Sequence, residues 1–390
     1  MTVQGTFENF PIDRVVYGRP AAAILAQEAE RIGAQRVFLI VSRTLDRETT
    51  WVNDMRSALG PRYAGSYDGM PSHTPRDACL AATDAARAVG ADLIVTFGGG
   101  SGTDAGKMVR LALKHDIRGT QDFDRFVARV GPDGNRVIPV FDGPDVPQIA
   151  IPTTLSGGDF NVSAGATDTR TMLKEIYRHP KIAPSVIILD AAVTVRTPMW
   201  LWLSTGIRAL DHAVETVCSQ FADRRSYVEA MEAIRLLAAA LPATKADPDA
   251  LEPRLDALLA VWLSMEHNRF KVPMGASHGI GHVLGGTCDV PHGYTSCVML
   301  PTVLAWNESV NADRQALVAE AFGQPGRRAS EVVHDFIAGL GMPRSLAAVG
   351  VGPEKFETVA KAALLDHYLH VNPRRVHGVE DIMEILRMAA

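Results

Sequence analysis

Asp92-Leu93-Ile94-Val95-Thr96-Phe97-Gly98-Gly99-Gly100-Ser101-Gly102-Thr103-Asp104-Ala105-Gly106-Lys107 joins a β-branched apolar run, a cluster of glycines and a helical pattern that continues through Leu113. A strand, a glycine turn and a helix start, in that order, make an anion site. The glycines let the backbone approach a phosphate, and the helix-terminal N–H groups and dipole face it. The run is neither a G-x-G-x-x-G nor a P-loop. The competing local explanation is a tight turn in which Ser101 caps the helix and Asp104 completes a capping box.

The surrounding chain repeats this alternation. An amphipathic helix expected over 20–32 is ended by Gly33 and followed by the buried strand Arg36-Val37-Phe38-Leu39-Ile40-Val41. A second helix over 74–89 stops at Gly90 and feeds the quoted strand, and two more short strands are expected at 148–151 and 185–189. Strands alternating with helices predict a parallel α/β sheet. Between Lys114 and Val146, the turn signals Gly131-Pro132-Asp133-Gly134 and Asp142-Gly143-Pro144 mark a surface excursion, long enough for a small strand pair or a lid. From Ala191 onward long Ala/Leu/Val segments have helical spacing and strand-like runs nearly vanish. The expectation is therefore an α/β domain over 1–190 and an all-helical domain over 191–390.

Composition limits the function. The 390 residues are 47% hydrophobic, enough for more than one core at roughly 150 residues per domain. With 39 Lys+Arg against 44 Asp+Glu, the net charge of -5 gives no basic footprint for nucleic acid. Four cysteines without a C-x-x-C pair point to a reducing, cytoplasmic setting rather than a disulfide framework. The first residues carry no signal-peptide pattern, and no apolar run reaches membrane-spanning length.

A second loop, Pro152-Thr153-Thr154-Leu155-Ser156-Gly157-Gly158-Asp159, also follows a buried strand, so two loops at strand carboxyl ends can face one crevice. Turn chemistry alone also accounts for its threonines. Further on, Ala276-Ser277-His278-Gly279-Ile280-Gly281-His282 sets two histidines at i and i+4 on one helix face. Pro291-His292-Gly293 opens the next helix, and His212 lies in an apolar helix one turn after Arg208. Four imidazoles in apolar contexts can ligate a divalent cation or move protons. They can equally be hydrogen-bonded core or capping histidines.

Taken together, Gly98-Gly99-Gly100-Ser101 with Asp104 and Lys107, Pro152-Thr153-Thr154, the series Asp168, Lys174 and Asp190, the helix from Gly206 to His212, His278 with His282 and His292, and Asn372-Pro373-Arg374 resemble the iron-containing alcohol dehydrogenase superfamily. Val283-Leu284-Gly285-Gly286-Thr287-Cys288-Asp289-Val290-Pro291-His292 is most similar to its maleylacetate reductase branch. The resemblance implies a dehydroquinate-synthase-like architecture: a dinucleotide-binding α/β domain, an all-helical domain, and hydride transfer between NAD or NADP and a small alcohol, carbonyl or oxo-acid in the cleft between them. Gly99, Gly100 and Ser101 would hold the pyrophosphate, and Asp104, Thr153, Thr154 and Lys174 would line the rest of the cofactor. At Ser42 the family carries an acidic residue that disfavours a 2′-phosphate. Ser42 beside Arg43 leaves room for that phosphate. His212, His278 and His292 match three metal ligands, and His282 matches an additional active-site histidine suited to proton transfer, or to holding its helix by a hydrogen bond.

Two departures follow. The fourth metal ligand of the family is an aspartate where this chain has Arg208, and Ser156-Gly157-Gly158-Asp159-Phe160 replaces the usual Gly-Thr-Gly-Ser-Glu. Arg208 either swings out to pair with Asp211 or Glu215, leaving three histidines for iron or zinc, or stays in and clamps a substrate carboxylate. A cation beside a dication is unfavourable, so the balance tilts to a metal-free site. The functions in competition are a dehydrogenase of alcohols and carbonyls, a metal-independent reductase of an unsaturated oxo-diacid, and a non-catalytic nucleotide-binding protein. The retained histidines count against the last, since a scaffold has no need of polar side chains on an apolar face. Neither a nucleic-acid nor a membrane partner is expected. A homo-oligomer stays open.

Overall fold

The structure is a computed structural model that describes residues 12–130 and 136–390. The chain divides after Thr197 into two compact units. In chain order the first carries β1 (Arg14–Tyr17), α1 (Ala21–Ile32), β2 (Val37–Val41), α2 (Arg43–Glu48), α3 (Trp51–Leu59), β3 (Tyr63–Tyr67), α4 (Arg76–Ala88), β4 (Leu93–Gly98), α5 (Gly100–Lys114), β5 (Val127–Val130), β6 (Arg136–Val137), β7 (Gln148–Pro152), β8 (Ser163–Asp168), β9 (Leu173–Arg178) and β10 (Val186–Leu189). The division follows Thr197 rather than Asp190. The Asp190 carboxylate accepts the backbone N–H groups of Ala21 at 2.7 Å and Ala192 at 2.9 Å, and the Thr197 hydroxyl donates to the Thr153 carbonyl at 2.6 Å. The turn after β10 is thereby tied to the first unit.

Six strands form a parallel sheet in the order β1-β10-β7-β4-β2-β3. Leu39, Val41, Val95 and Ile149 share one core with Leu25, Val52 and Met55, while Phe38, Ile40 and Ile94 pack with Ala82, Ala86 and Val109 on the other face. Strands buried on both faces carry uninterrupted apolar runs, so the sequence marks these strongly. The chain runs outward from β2 to β3, then returns to β4 on the other side of β2. The loops after β2 and β4 therefore diverge and leave a crevice at their carboxyl ends.

The excursion over 115–146 supplies β5 and β6, which join β8 and β9 in an antiparallel sheet of order β6-β5-β9-β8. Its turn signal at 131–134 lies outside the described residues. The sequence does not announce β8 or β9: Ser163-Ala164-Gly165-Ala166-Thr167-Asp168 has turn composition, and β9 carries three charged residues. A charged hub fixes them instead. Arg76, fully buried, donates to Tyr177 Oη at 2.9 Å, the Thr120 carbonyl at 3.1 Å, Asp124 at 2.6 Å, Asp168 at 3.2 Å, and Glu175. Asp124, Asp168 and Glu175 bring carboxylate oxygens within 4.8 Å of one another, but the cation among them is this guanidinium.

The second unit, Pro198–Ala390, is helical: α6 (Met199–Cys218), α7 (Arg224–Ala246), α8 (Leu251–Met265), α9 (Ala276–Cys288), α10 (His292–Ala321, kinked at Asn311), α11 (Ala329–Leu340), α12 (Phe356–Ala363), α13 (His367–His370) and α14 (Val379–Met388). α6 packs against α7, α8 and α10, and α9 lies among α10, α12 and α13. Among the described residues no helix is long and apolar enough to cross a membrane. Cys79, Cys218 and Cys297 are buried and Cys288 partly so. Burial pushes the first three thiols far up, that of Cys218 to about 12.

Removing one partner from a buried, hydrogen-bonded ion cluster costs about 3–5 kcal/mol. Arg76→Met should therefore lower the stability of the first unit by that order, read as the fall in urea midpoint at constant slope. Asp168 is held down to about 2, chiefly by the Arg170 side chain. Its contribution is complete above its unfolded value of 3.8 and disappears as pH falls through about 2.

Candidate active site

Parallel register sets the nucleotide side. Val41 and Ile151 both lie beside Phe97, so β2, β4 and β7 end together. The Ser42 amide donates to the Phe97 carbonyl at 3.0 Å and the Thr153 amide to the Gly98 carbonyl at 2.9 Å, joining the three loops. Gly98 has φ 151°, a region that L side chains rarely adopt, and a Cβ there would meet that of Ser42 at 3.4 Å. A Cβ on Gly99 would come within 3.2 Å of Thr154 Cγ2, and one on Gly100 within 2.9 Å of Ser156 Oγ. α5 begins at Gly100 with Gly99 as its cap. Its first N–H groups, having no intrahelical acceptor, open at the strand ends where an anion can be held.

The capping-box alternative is not what forms. The Ser101 carbonyl accepts from Thr74, and Asp104 accepts the Gly165 amide at 3.1 Å. Lys174, an exposed residue of β9, runs over Gly165, where a Cβ would meet its Cε at 2.4 Å and an Asp104 oxygen at 3.6 Å, so Asp104 and Lys174 come together. Arg43 is half-exposed and pairs with Asp68 at 3.5 Å. Sequence reasoning missed what anchors the second loop. Lys107, fully buried, donates to the Gly158 and Ser163 carbonyls at 2.7 Å each, and Asp159 accepts from Thr103 at 2.5 Å. Lys107 stands three residues after Asp104, and that spacing was its only signal.

In the helical unit, α6 and α9 bring His212 and His278 to a ring separation of 4.4 Å. His278 and His282 follow on α9 with centroids 6.4 Å apart. Glu215 accepts the amides of Gly275 at 2.8 Å and Ser277 at 2.9 Å, which fixes it as an acceptor, so His278 Nδ1–H donates to it at 2.8 Å. Asp211, fully buried, accepts from Ser277 at 2.9 Å and Ser296 at 2.6 Å. Burial raises both carboxyls, that of Asp211 to about 6, and holds His212 and His278 neutral by pushing them well below the usual imidazole range. Asp211, Glu215, Ser277 and Ser296 were not expected as site residues. Polar groups at helical spacing on a buried face were their only mark.

Arg208 stays in the interior: its guanidinium donates to Ser296 at 3.0 Å and lies 3.8 Å from Asp211. Staying in and pairing with Asp211 are therefore compatible. Among the described residues, the groups with three ligand atoms within 4.8 Å of one another are Asp211–Glu215–His278 and the Arg76 cluster. His212 and His278 come together without His292, which packs where a Gly285 Cβ would meet its ring at 2.9 Å. His212 Nδ1 and His278 Nε2 are buried without a hydrogen-bond partner, but their nearest charged neighbours include Arg208. The Arg208 guanidinium lies 3.8 Å from the Asp211 carboxylate of this group, and a cation at that point raises the cost of binding a dication.

Comparison with known proteins agrees along nearly the whole chain. Residues 12–191 match the model for iron-containing alcohol dehydrogenase, and 202–390 that for the C-terminal part of the Fe-containing alcohol dehydrogenase family. Dehydrogenase ALT3 of Alternaria alternata is 34% identical, with 92% of this chain and 99% of that protein covered. The maleylacetate reductase of Rhizobium sp. is 31% identical over 95% of this chain and 94% of its own. The crystal structure of maleylacetate reductase from Agrobacterium tumefaciens superimposes with a TM-score of 0.82 at 29% identity, covering 100% of this chain and 98% of the other.

Gly100→Val places a branched side chain against Ser156 and across the helix start. NADPH affinity, followed by fluorescence titration, should fall by roughly tenfold or more while the protein stays folded. Unchanged affinity in a folded variant would move the site elsewhere.

Proposed function

Because the chain belongs to the iron-containing alcohol dehydrogenase family, and is an oxidoreductase, we propose that it uses NAD or NADP to reduce a small carbonyl compound that carries a carboxylate, without a resident metal. The carrying observation is Arg208, a largely buried guanidinium beside His212 and His278, at the position where the family resemblance implies a metal-binding aspartate. Iron or zinc would need His212, His278 and His292 together, and among the described residues these three do not form a group of donor atoms within 4.8 Å of one another.

When bound, the nicotinamide supplies or accepts hydride. The chain's own groups do the rest. The Gly98–Ser101 turn and the start of α5 receive the pyrophosphate, with Thr153, Thr154, Asp104 and Lys174 along the remainder. Arg208 meets the substrate carboxylate with the N–H groups not given to Ser296, because a planar guanidinium matches a carboxylate bidentately. His282, 38% exposed in its side chain, gives or takes the proton at the substrate oxygen. Names of relatives such as maleylacetate reductase favour an unsaturated oxo-diacid as the substrate class. A reducing cytoplasm completes the reading.

Elemental analysis of the purified protein should find substoichiometric iron and zinc, and chelator should leave NADPH-dependent reduction of maleylacetate unchanged. Arg208→Asp should raise affinity for Zn²⁺ while lowering turnover of carboxylate substrates roughly tenfold or more. Stoichiometric metal, with activity abolished by chelator and restored by that metal, overturns the metal-free reading. Because Ser42 carries no charge and Arg43 is at hand, NADPH should be accepted, with kcat/KM for NADH less than about a hundredfold higher.

A further inference from the structure

His282 does not stand alone. Its Nδ1 lies 2.9 Å from Asp366 Oδ2, and the other carboxylate oxygen, Oδ1, accepts the Tyr368 amide at 2.9 Å as the cap of α13. The Asp366 side chain is 16% exposed against 38% for the imidazole, so the contact is partly shielded, and with Nδ1 engaged Nε2 is the ring nitrogen left to meet a substrate. The packing is made for this contact. A Cβ on Gly279, one turn before His282, would strike Leu369 Cδ2 at 2.1 Å and come within 3.6 Å of Asp366 Oδ1. Only a glycine lets the turn over 366–370 seat against α9, and Leu369 is fully buried in the same core.

We propose that Asp366 is a positioning residue that holds His282 in the Nδ1–H tautomer, so that Nε2 is the atom exchanging a proton with substrate. The proposal rests on the reading of His282 as the acid–base group. A carboxylate bonded to Nδ1–H fixes both the tautomer and the ring plane. In the reducing direction His282 Nε2–H gives its proton to the substrate oxygen as hydride from bound NAD(P)H reaches the carbonyl carbon or, in an unsaturated oxo-diacid, the alkene carbon conjugated with it, giving an alcohol or an enol that tautomerises to the ketone. Two electrons pass from dihydronicotinamide to substrate, NAD(P)⁺ remains, and His282 is left neutral, its Nδ1–H still donating to Asp366. Solvent then returns a proton to Nε2.

Asp366→Ser tests this, because serine still caps α13 but is too short to reach the imidazole. In protein labelled with ¹⁵N-histidine at pH 8.5, the His282 signals, assigned by their loss in His282→Ala, should show a protonated Nδ1 in the parent and a shift toward protonated Nε2 in Asp366→Ser. With maleylacetate and NADPH, kcat should drop tenfold or more while KM for NADPH stays within twofold. Adding Asp366→Ser to His282→Ala should cost nothing further. Gly279→Ala, which displaces the turn by its contact with Leu369 while leaving the His282 and Asp366 side chains themselves unaltered, should reproduce the tautomer shift. A parent-like tautomer or parent-like kcat in Asp366→Ser, where His282→Ala is impaired, overturns the proposal alone. Normal turnover by His282→Ala removes the acid–base reading and the proposal with it.

Discussion

The first amides of α9 have no partners within their own helix, and two distant side chains supply them. Glu215 on α6 accepts from Gly275 and Ser277, and Asn372 accepts from Ala276 at 3.0 Å. Everything else in the helical unit's polar interior follows. Glu215 draws α6 against the start of α9 and orients His278 through its Nδ1–H. Asn372 is itself locked by two reciprocal bonds with Asn307 and one to the Arg374 carbonyl. Arg374 lies 3.9 Å over Trp306 and donates to its carbonyl. Asn372-Pro373-Arg374, which the sequence offers only as one more point of resemblance, is the clamp that seats the histidine helix.

Two carboxylates, Asp211 and Glu215, and the guanidinium of Arg208 share this interior. Burial raises both carboxyls, and the Arg208 guanidinium opposes that rise. Arg208 therefore compensates negative charge that the capping role of Glu215 keeps buried beside it.

Legibility differed between the two halves for physical reasons. The parallel sheet was plain because Val37-Phe38-Leu39-Ile40-Val41 and its neighbours are covered on both faces and so carry unbroken apolar runs. β8 and β9 were not, because a buried arginine and its acids hold them, and hydrophobic patterning does not encode such a hub. Gly99, Gly100, Thr153 and Thr154 could be placed at one crevice from strand–loop order alone. Lys107 and Asp159 could not be assigned to the loop they tie down, since those bonds run to carbonyl and hydroxyl groups some fifty residues away. His212, His278 and His282 stood out as histidines in apolar helices, whereas Asp366 sits 84 residues from its partner in a short turn with no pattern of its own.

The buried cysteines give the molecule built-in reporters of opening. Cys79 belongs to the first unit, Cys218 and Cys297 to the second, and burial keeps each thiol protonated far above neutrality. A thiol reagent attacks only thiolate that it can reach. Alkylation of these three is accordingly gated by unfolding of the segment around each one, while Cys288 is only partly buried. The rates at which Cys79 and the Cys218/Cys297 pair are consumed then measure how often each half of the chain comes apart, separately and without an added label.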